Sequence, residues 1–307
     1  MHYTLHQLQI FLTIAQLKSI TKASEELHLT QPAVSIQLKK FQQQFSIPLT
    51  EVVGRQLYIT EFGMEIARAA EKILNEVEAI NYRTQAYQGE MAGKIKVSVV
   101  STGKYVMPYF LSGFTWEHKG VDLVMDVTNK ARVIESLEAN EVDFALVSVI
   151  PDDMKVNRIE LMQNKLYLVG GSRLMDRAKV KPEKIFSDHP LLFREQGSAT
   201  RNAMETFIRK RKLPSYKQMT LTSNEALKQA VIAGLGYSIM PIIGLKNALR
   251  QEDIRIIPFK GLPIITHWNL IWLKSKNLSP TALAFLDYLE QNKTAIIKES
   301  FDWFEAY

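Results

Sequence analysis

Between Thr30 and Lys40 the chain sets small polar side chains and cations on one potential surface, a combination that can read base edges and neutralise phosphates. Gln31 and Ser35 offer hydrogen-bonding groups, Ile36 could meet a thymine methyl, and Lys39 and Lys40 supply charge. Pro32 and Ala33 are small enough to let a backbone approach a groove floor. These residues share a face only if the stretch is helical. Val34, Leu38, Phe41 and Phe45 recur at spacings of four, three and four, so at about 100° per residue they define an inward stripe. Pro32, Ala33, Ser35, Ile36, Lys39 and Lys40 then point outward, with Thr30 and Gln31 at the start of the helix beside them. Thr30 suits an N-cap, and Pro32 is tolerated in a first turn that needs no donor there.

A preceding helix is needed to hold this one. Ile20, Ala23, Ser24 and Leu27 fall at i, i+3, i+4 and i+7, a small apolar face that can be buried. Leu5, Leu8, Phe11, Leu12 and Ala15 make an earlier amphipathic helix able to close a three-helix core. After it, Ser46 to Thr60 contains Pro48 and Gly54 and alternates apolar residues at Leu57 and Ile59, which suits a short hairpin or wing carrying Arg55. Spacing alone also fits a helical hairpin with a solvated polar face.

Composition bounds the rest. The chain has 307 residues, 46% hydrophobic and 23% charged, enough for two domains with real cores. It has no cysteine, which excludes disulfides, cysteine zinc sites and thiol catalysis. Six histidines show no metal-ligand spacing, His2 and His6 lying at a frayed start, so no metal and no other cofactor is expected. The start lacks a secretory leader and no apolar run reaches about 18 residues. A cytoplasmic location without membrane contact is the expectation. Net charge is +6, yet residues 1–90 hold eight Lys or Arg against nine Asp or Glu. Bulk charge therefore does not mark the groove-reading end, and a local patch of Lys18, Lys22, Lys39, Lys40 and Arg55 must serve.

From Glu61 to about Gly89 the pattern is one long helix, capped by Thr60. Ile66, Ala70, Ile73, Val77, Ile80, Thr84 and Tyr87 alternate spacings of four and three, a coiled-coil period that predicts pairing of two chains along about 40 Å. Packing on its own domain is the other way to bury such a stripe. Residues 88–93 read as a hinge. Beyond them KIKVSVV, VDLVMDV and DFALVSV alternate with helices near Pro108 and over residues 129–140, a βαβαβ unit with a parallel sheet. A second unit follows with RIELM, KLYLVGG, PLLFRE, YKQMTLT and YSIMP. IRIIPF, THWNLIWLK and a last helix from Ser279 complete two lobes.

In such lobes, ligands sit beyond the carboxyl ends of strands, where loops lead into helix N-termini. Ser101, Thr102, Gly103 and Lys104, then Thr128, then Ser148, meet that condition in one lobe. Glu195, Gly197, Ser198, Thr200 and Arg201, with Ser223 and Asn224, meet it in the other. Hydroxyls, backbone donors, Lys104 and Arg201 together favour a small anion. Each hydroxyl could instead be only a cap, and Glu195 and Arg201 could pair internally. The run Arg209-Lys210-Arg211-Lys212 ends a helix, where it complements the dipole or touches bent DNA. A Gly-rich phosphate loop, a GxSxG elbow and a metal cluster are absent from the sequence, so no catalytic residues are expected.

The segment from Leu8 to Gly63 resembles the winged helix-turn-helix of LysR-type transcriptional regulators. The resemblance rests on Leu8, Phe11, Ala15, Ser19, Ala23, Leu27, the run Thr30-Gln31-Pro32-Ala33-Val34-Ser35, Gln37, Leu38, Pro48, Leu49, Arg55, Thr60 and Gly63. Thr50 and Val52 depart from it, standing where the family has Phe and Arg, which puts the wing in doubt. Further motifs, Arg194 to Arg201, Ser223 to Val231 with Ala233-Gly234-Leu235-Gly236, and Gly261-Leu262-Pro263-Ile264 before Trp268, are similar to the regulators of carbon-fixation operons and of sulfur assimilation.

The resemblance implies a bacterial regulator with three parts: an all-α winged helix-turn-helix over residues 1–60, a linker (dimerisation) helix over 61–89, and an α/β effector domain of periplasmic-binding-protein type over 90–307. Lobe I would span about 94–162 and 268–307, and lobe II about 163–267. Its implied partners are promoter DNA, a second copy or a tetramer of itself, a small effector and RNA polymerase. The alternatives from the residues are an α/β-lobed enzyme, or a solute-binding protein with an accessory helical domain.

Overall fold

The computed structural model describes residues 3–54, 56–87, 91–178, 181–214 and 217–307, and the chain divides into two units, 1–90 and 91–307. In the first unit, α1 (Leu5–Leu17), α2 (Ile20–Glu26) and α3 (Gln31–Gln42) begin at side-chain caps. Thr4 and Gln7 form a reciprocal capping box, Ser19 caps α2, and Thr30 accepts from the Ala33 N–H. Lys18 and His28 end the first two turns with φ of 50° and 53°, reversing the chain tightly enough for the helices to share a core. Leu8, Phe11, Ile14, Ala23, Val34, Leu38 and Phe41 are buried there. Each apolar side chain contributes about 1.5–3 kcal/mol by leaving water. Gln7, also buried, donates from Nε2 to Gln37 Oε1 at 3.1 Å, joining α1 to α3.

The wing is β1 (Thr50–Val53) and β2 (Gln56–Ile59), antiparallel from Thr50 opposite Ile59 to Val53 opposite Gln56. Thr50 and Val52 leave that hairpin intact. The Thr50 hydroxyl donates to Gln42 Oε1 at 2.8 Å and fastens the strand to the end of α3, while buried Leu49 anchors its base. Val52 is 70% exposed. Arg55, expected on the wing, lies outside the described residues.

Helix α4 (Glu61–Tyr87) follows, with Thr60 accepting from the Gly63 N–H at 2.9 Å. Gly63 is required by space: a Cβ would lie 2.0 Å from the Leu49 carbonyl oxygen. The expected seam needs correction at its start. Ala67 and Ala70 are buried in the three-helix core, and Ile66 and Leu74 pack against it. The small alanines let α4 lie close to α1, so Ile66 and Ala70 serve their own domain. Further along, Ile73 and Ile80 are exposed and Val77 is half-buried. The side chains of Thr84 and Tyr87, and the expected hinge residues 88–90, lie outside the described residues.

In the second unit, β3 (Ala92–Val100), α5 (Met107–Glu117), β4 (Gly120–Thr128), α6 (Lys130–Glu138) and β5 (Phe144–Val147) build the expected βαβαβ, with β3 central and parallel to both neighbours. Then β6 (Val156–Gly171) runs unbroken through RIELM and KLYLVGG, one 16-residue strand where two were expected. Gln163-Asn164 separates the two expected strands, but Asn164 finds a partner across the sheet in Thr266.

After it come α7 (Ser172–Ala178), α8 (Ile185–Asp188), β7 (Pro190–Arg194), α9 (Ala199–Lys210), β8 (Lys217–Leu221), α10 (Asn224–Ile232), β9 (Ser238–Pro241), α11 (Lys246–Arg250) and β10 (Ile254–Ile256). Strand β11 (Ile264–Leu273) returns antiparallel to β6, bulging between Trp268 and Asn269, and α12 (Pro280–Phe301) closes the unit. Strands β6 and β11 therefore pass through both lobes. One apolar core gathers residues from Ile95 to Met162 and from Trp268 to Phe304 with Ile242 and Ile243; two others bury residues between Leu166 and Ile257. Ser279 caps α12 by accepting from the Ala282 N–H.

Candidate functional site

On α3, Gln31, Pro32, Ile36, Lys39 and Lys40 are exposed, Ala33 and Ser35 half-buried, and Thr30, the cap, is exposed. Ile36 has 53% of its surface open, an apolar tip that the core has no use for. The opposite stripe, Val34, Leu38 and Phe41, is fully used in packing, so the helix cannot rotate without exposing it. Gln31, Pro32, Ala33, Ser35, Ile36, Lys39 and Lys40 thus lie off the buried stripe of one helix, which Thr30 caps. Its cations lie in the last turn, where they also complement the helix dipole.

The second site lies where three strand ends converge. Ser101 follows β3, Arg194 ends β7, and Asn224 opens α10. The Ser101 hydroxyl oxygen accepts from Arg194 Nη2 at 3.1 Å and from Asn224 Nδ2 at 3.0 Å, a link between the two lobes. Arg194 is 2% exposed, and Glu195 holds it through two bonds of 2.8 and 2.7 Å. Its Nη1 and the Oδ1 of Asn224 are buried without a hydrogen-bond partner. A guanidinium nitrogen out of water with nothing to donate to leaves a cost of about 1–3 kcal/mol or more, which an incoming acceptor would remove.

The sequence-picked residues divide. Thr102 and Gly103 are buried beside Ser101, and Ser198 and Thr200 are buried at the start of α9. Gly197, with φ of +82°, lies against the first turn of α6: a Cβ there would stand 3.5 Å from Ala131 Cβ and 3.9 Å from Asn129 Oδ1. Asn129 caps that helix. Ser223 is exposed and occupied as the cap of α10. Thr128, Ser148 and Lys104 are half-buried, with Lys104 5.1 Å from the Tyr105 ring centre. Arg201 does not pair with Glu195; it bonds Glu205 at 2.7 Å and the Arg194 carbonyl at 2.9 Å, bracing the strand end. The Glu195 carboxylate takes Arg194 because adjacent residues at a strand end can chelate side by side.

Arg194 is the residue of this site that strand-end reasoning does not single out, although it stands in the sequence as a lone cation closing the apolar strand PLLFR. Burial raises the Tyr105 phenol pKa, helped by the Glu225 carboxylate, to which it hydrogen-bonds. Glu225 itself is held below the usual carboxylate range by hydrogen bonds from Gln229 and Lys228. Burial lowers the Lys130 ammonium, and Asp152 partly offsets this. No group of three or more His, Cys, Asp or Glu placed to hold a metal occurs among the described residues.

An exposed polar and cationic helix face on one unit and a two-lobed α/β unit with a buried polar cluster at its strand ends suit a DNA-binding regulator with an effector domain. The family pattern of the bacterial regulatory helix-turn-helix protein, lysR family, matches residues 5–64, and that of the LysR substrate binding domain matches residues 88–293. The chain belongs to the LysR family of bacterial transcriptional regulators. It is 34% identical over 295 residues to the transcriptional activator CmpR of Synechocystis sp., covering 95% of this chain and 97% of that one. To the transcriptional regulator CfxR of Cupriavidus necator it is 37% identical over 287 residues, covering 93% and 90%.

Among solved structures, the CcmR regulatory domain of Synechocystis in complex with 2-PG matches with a TM-score of 0.60 and 27% identity, over 66% of this chain and 97% of that one. Full-length CbnR complexed with its target DNA matches in fold at a TM-score of 0.70 and 21% identity, over 94% and 99%. The chain is thus a sequence-specific DNA-binding regulator of transcription and not an enzyme. No helix among the described residues is long and apolar enough to cross a membrane.

Proposed function

We propose that this regulator controls promoters of carbon-assimilation genes in response to a small phosphorylated acid bound at Ser101, Thr102, Arg194 and Asn224. The observation that carries the anion is the buried, unpartnered Nη1 of Arg194 beside the Ser101 hydroxyl. A phosphoryl oxygen there would gain a charge-assisted bond and two lobes' worth of donors. The 2-PG complex of the Synechocystis relative and the names of the RuBisCO operon regulators support that class of ligand and target. Gly103, Lys104, Thr128, Ser148, Glu195, Gly197, Ser198, Thr200, Arg201 and Ser223 complete the proposed surroundings of the anion. Acceptance of the anion tightens the Ser101 link and favours the closed arrangement of the lobes.

In the same reading, promoter DNA meets Thr30, Gln31, Pro32, Ala33, Ser35, Ile36, Lys39 and Lys40, with Arg55 on the wing, in a cytoplasmic homo-oligomer that also meets RNA polymerase. Residues 1–60 form the DNA-binding head, 61–89 the linker and 90–307 the effector domain. Genomic fragments retained by the purified chain, sequenced with and without 2-phosphoglycolate and other phosphorylated acids, test the proposal. Enrichment of palindromic sites that shifts with one such acid is the expected result; sites indifferent to every acid would refute effector control.

Pairing along α4 is proposed from Ile73 onward, through Val77 and Ile80. The double substitution Ile73→Asp with Ile80→Asp is expected to yield monomers and to weaken palindrome binding by about a hundredfold, since like charges in an apolar seam repel and two half-sites then bind independently. Sedimentation and titration of a palindromic duplex read this, and an unchanged oligomer would reject the seam.

A further inference from the structure

The positive charge of this chain is not in its DNA-reading unit. Residues 163–267 hold 18 Lys or Arg against 8 Asp or Glu, a net of +10, while the rest of the chain is net −4. Several of these cations cluster on one exposed surface of the second lobe. Arg209 and Lys210 end α9, and Arg211 and Lys212 follow it, all four exposed. Arg211 lies with its guanidinium 5.5 Å from the Phe207 ring centre and its Nη2 against Gly261, where a Cβ would approach it to 1.9 Å. That contact brings exposed Lys260, the neighbour of Gly261, to the same place. Phe207 also packs edge-on against Phe259 at 6.0 Å and lies 6.4 Å from Phe186 of α8, which fixes its ring.

Other cations of this lobe are spent on carboxylates: Arg194 on Glu195, Arg201 on Glu205, Arg255 on Asp176 and Lys228 on Glu225. No such ion pair engages Arg209, Lys210, Arg211, Lys212 or Lys260 among the described residues. The α9 dipole accounts for Arg209 and Lys210. It does not account for Lys260, which another segment brings to the same surface.

We propose that this surface is an auxiliary binding site for the phosphate backbone of double-stranded DNA, used without base specificity beyond the stretch that α3 reads. Five unpaired cations around a fixed aromatic cluster suit a regular line of phosphates better than a small ligand, because the surface is open and has no enclosed donor set. It also supplies charge that the first unit lacks, with its five Lys or Arg in residues 1–60 and Val52 on the wing.

The test uses the full chain carrying Arg209→Gln, Lys210→Gln, Lys212→Asn and Lys260→Gln, leaving Arg211 on its ring; asparagine suits the left-handed backbone at position 212, where φ is 52°. Binding is titrated against a short duplex holding only the selected palindrome and against the same site with long flanks, across a salt series. Wild type is expected to bind the long duplex more tightly and with a steeper salt slope. The variant should lose that excess, its slope on the long duplex falling by about 0.9 for each removed phosphate contact, while the short duplex is bound as before. A charge-keeping variant, Arg209→Lys with Lys210→Arg, should behave as wild type. Equal loss on both duplexes, or no loss on either, overturns the proposal, the second outcome turning attention to an acidic protein partner. Failure of wild type on the short palindrome would instead count against the reading of α3.

Discussion

Replacing Arg194 by glutamine is expected to leave palindrome binding within about threefold of wild type and to abolish its response to a phosphorylated acid. The side chain is 2% exposed and sits between Glu195 and Ser101, with one nitrogen left over. Each hydrogen bond to a charged group is worth about 1.5–3 kcal/mol, so loss of the one that Nη1 would give the anion weakens its binding by at least about tenfold. Glutamine cannot reproduce the planar fork. The substitution also strands the Glu195 carboxylate, whose side chain is 19% exposed, and a stranded charge can cost a few kcal/mol of domain stability. Pairing Arg194→Gln with Glu195→Gln removes both charges together and isolates the ligand effect. Calorimetric titration with 2-phosphoglycolate, beside DNA titration with and without it, makes the measurement. An acid that still binds the double variant as tightly as wild type would place the anion elsewhere in the cleft.

The difference between Arg194 and the residues chosen from sequence shows what a linear pattern carries. Helix faces are local: the inward stripe of Val34, Leu38 and Phe41 fixes the outward one, so the α3 surface was legible before any tertiary contact was known. The parallel unit of β3, β4 and β5 was legible for the same reason, with apolar runs and helices alternating at regular length. A cleft is not local. Ser101, Arg194 and Asn224 are separated by 93 and 123 residues in the two bonds that join them. Sequence could name strand ends but not which side chain at each end turns inward. It chose Arg201, which braces from outside, over Arg194, which is buried. The strand β6 differs from expectation for a related reason, since polar Gln163 and Asn164 separate two apolar runs in the sequence while Thr266, distant in the chain, gives Asn164 its partner in the sheet. The stripe on α4 was ambiguous in itself. A period of three and four fits both a partner chain and α1, and the alanines Ala67 and Ala70 decide for α1 at that end.

The largest effect on DNA binding is expected from the start of α3. Gln31→Ala with Ser35→Ala should cost about 1–3 kcal/mol for each side chain that contacts a base edge, up to about a ten-thousandfold loss for the pair on the selected palindrome. Neither change disturbs the fold: both side chains lie off the buried stripe, and alanine is the stronger helix former. Binding to unrelated duplex should change by less than about threefold, because no charge is removed. Lys39→Gln with Lys40→Gln should do the reverse, weakening every duplex alike and lowering the salt slope by about 1.8 if each lysine meets a phosphate. Titration of a palindromic and a scrambled duplex over a salt series separates the two patterns. Specificity that survives Gln31→Ala with Ser35→Ala would mean that the sequence is read by Ile36, the wing or DNA shape. The two lysines alone cannot supply it, since phosphates carry no base identity. A further change, Ile36→Ala, then tests the first of those, its exposed apolar tip being a group that a thymine methyl could meet.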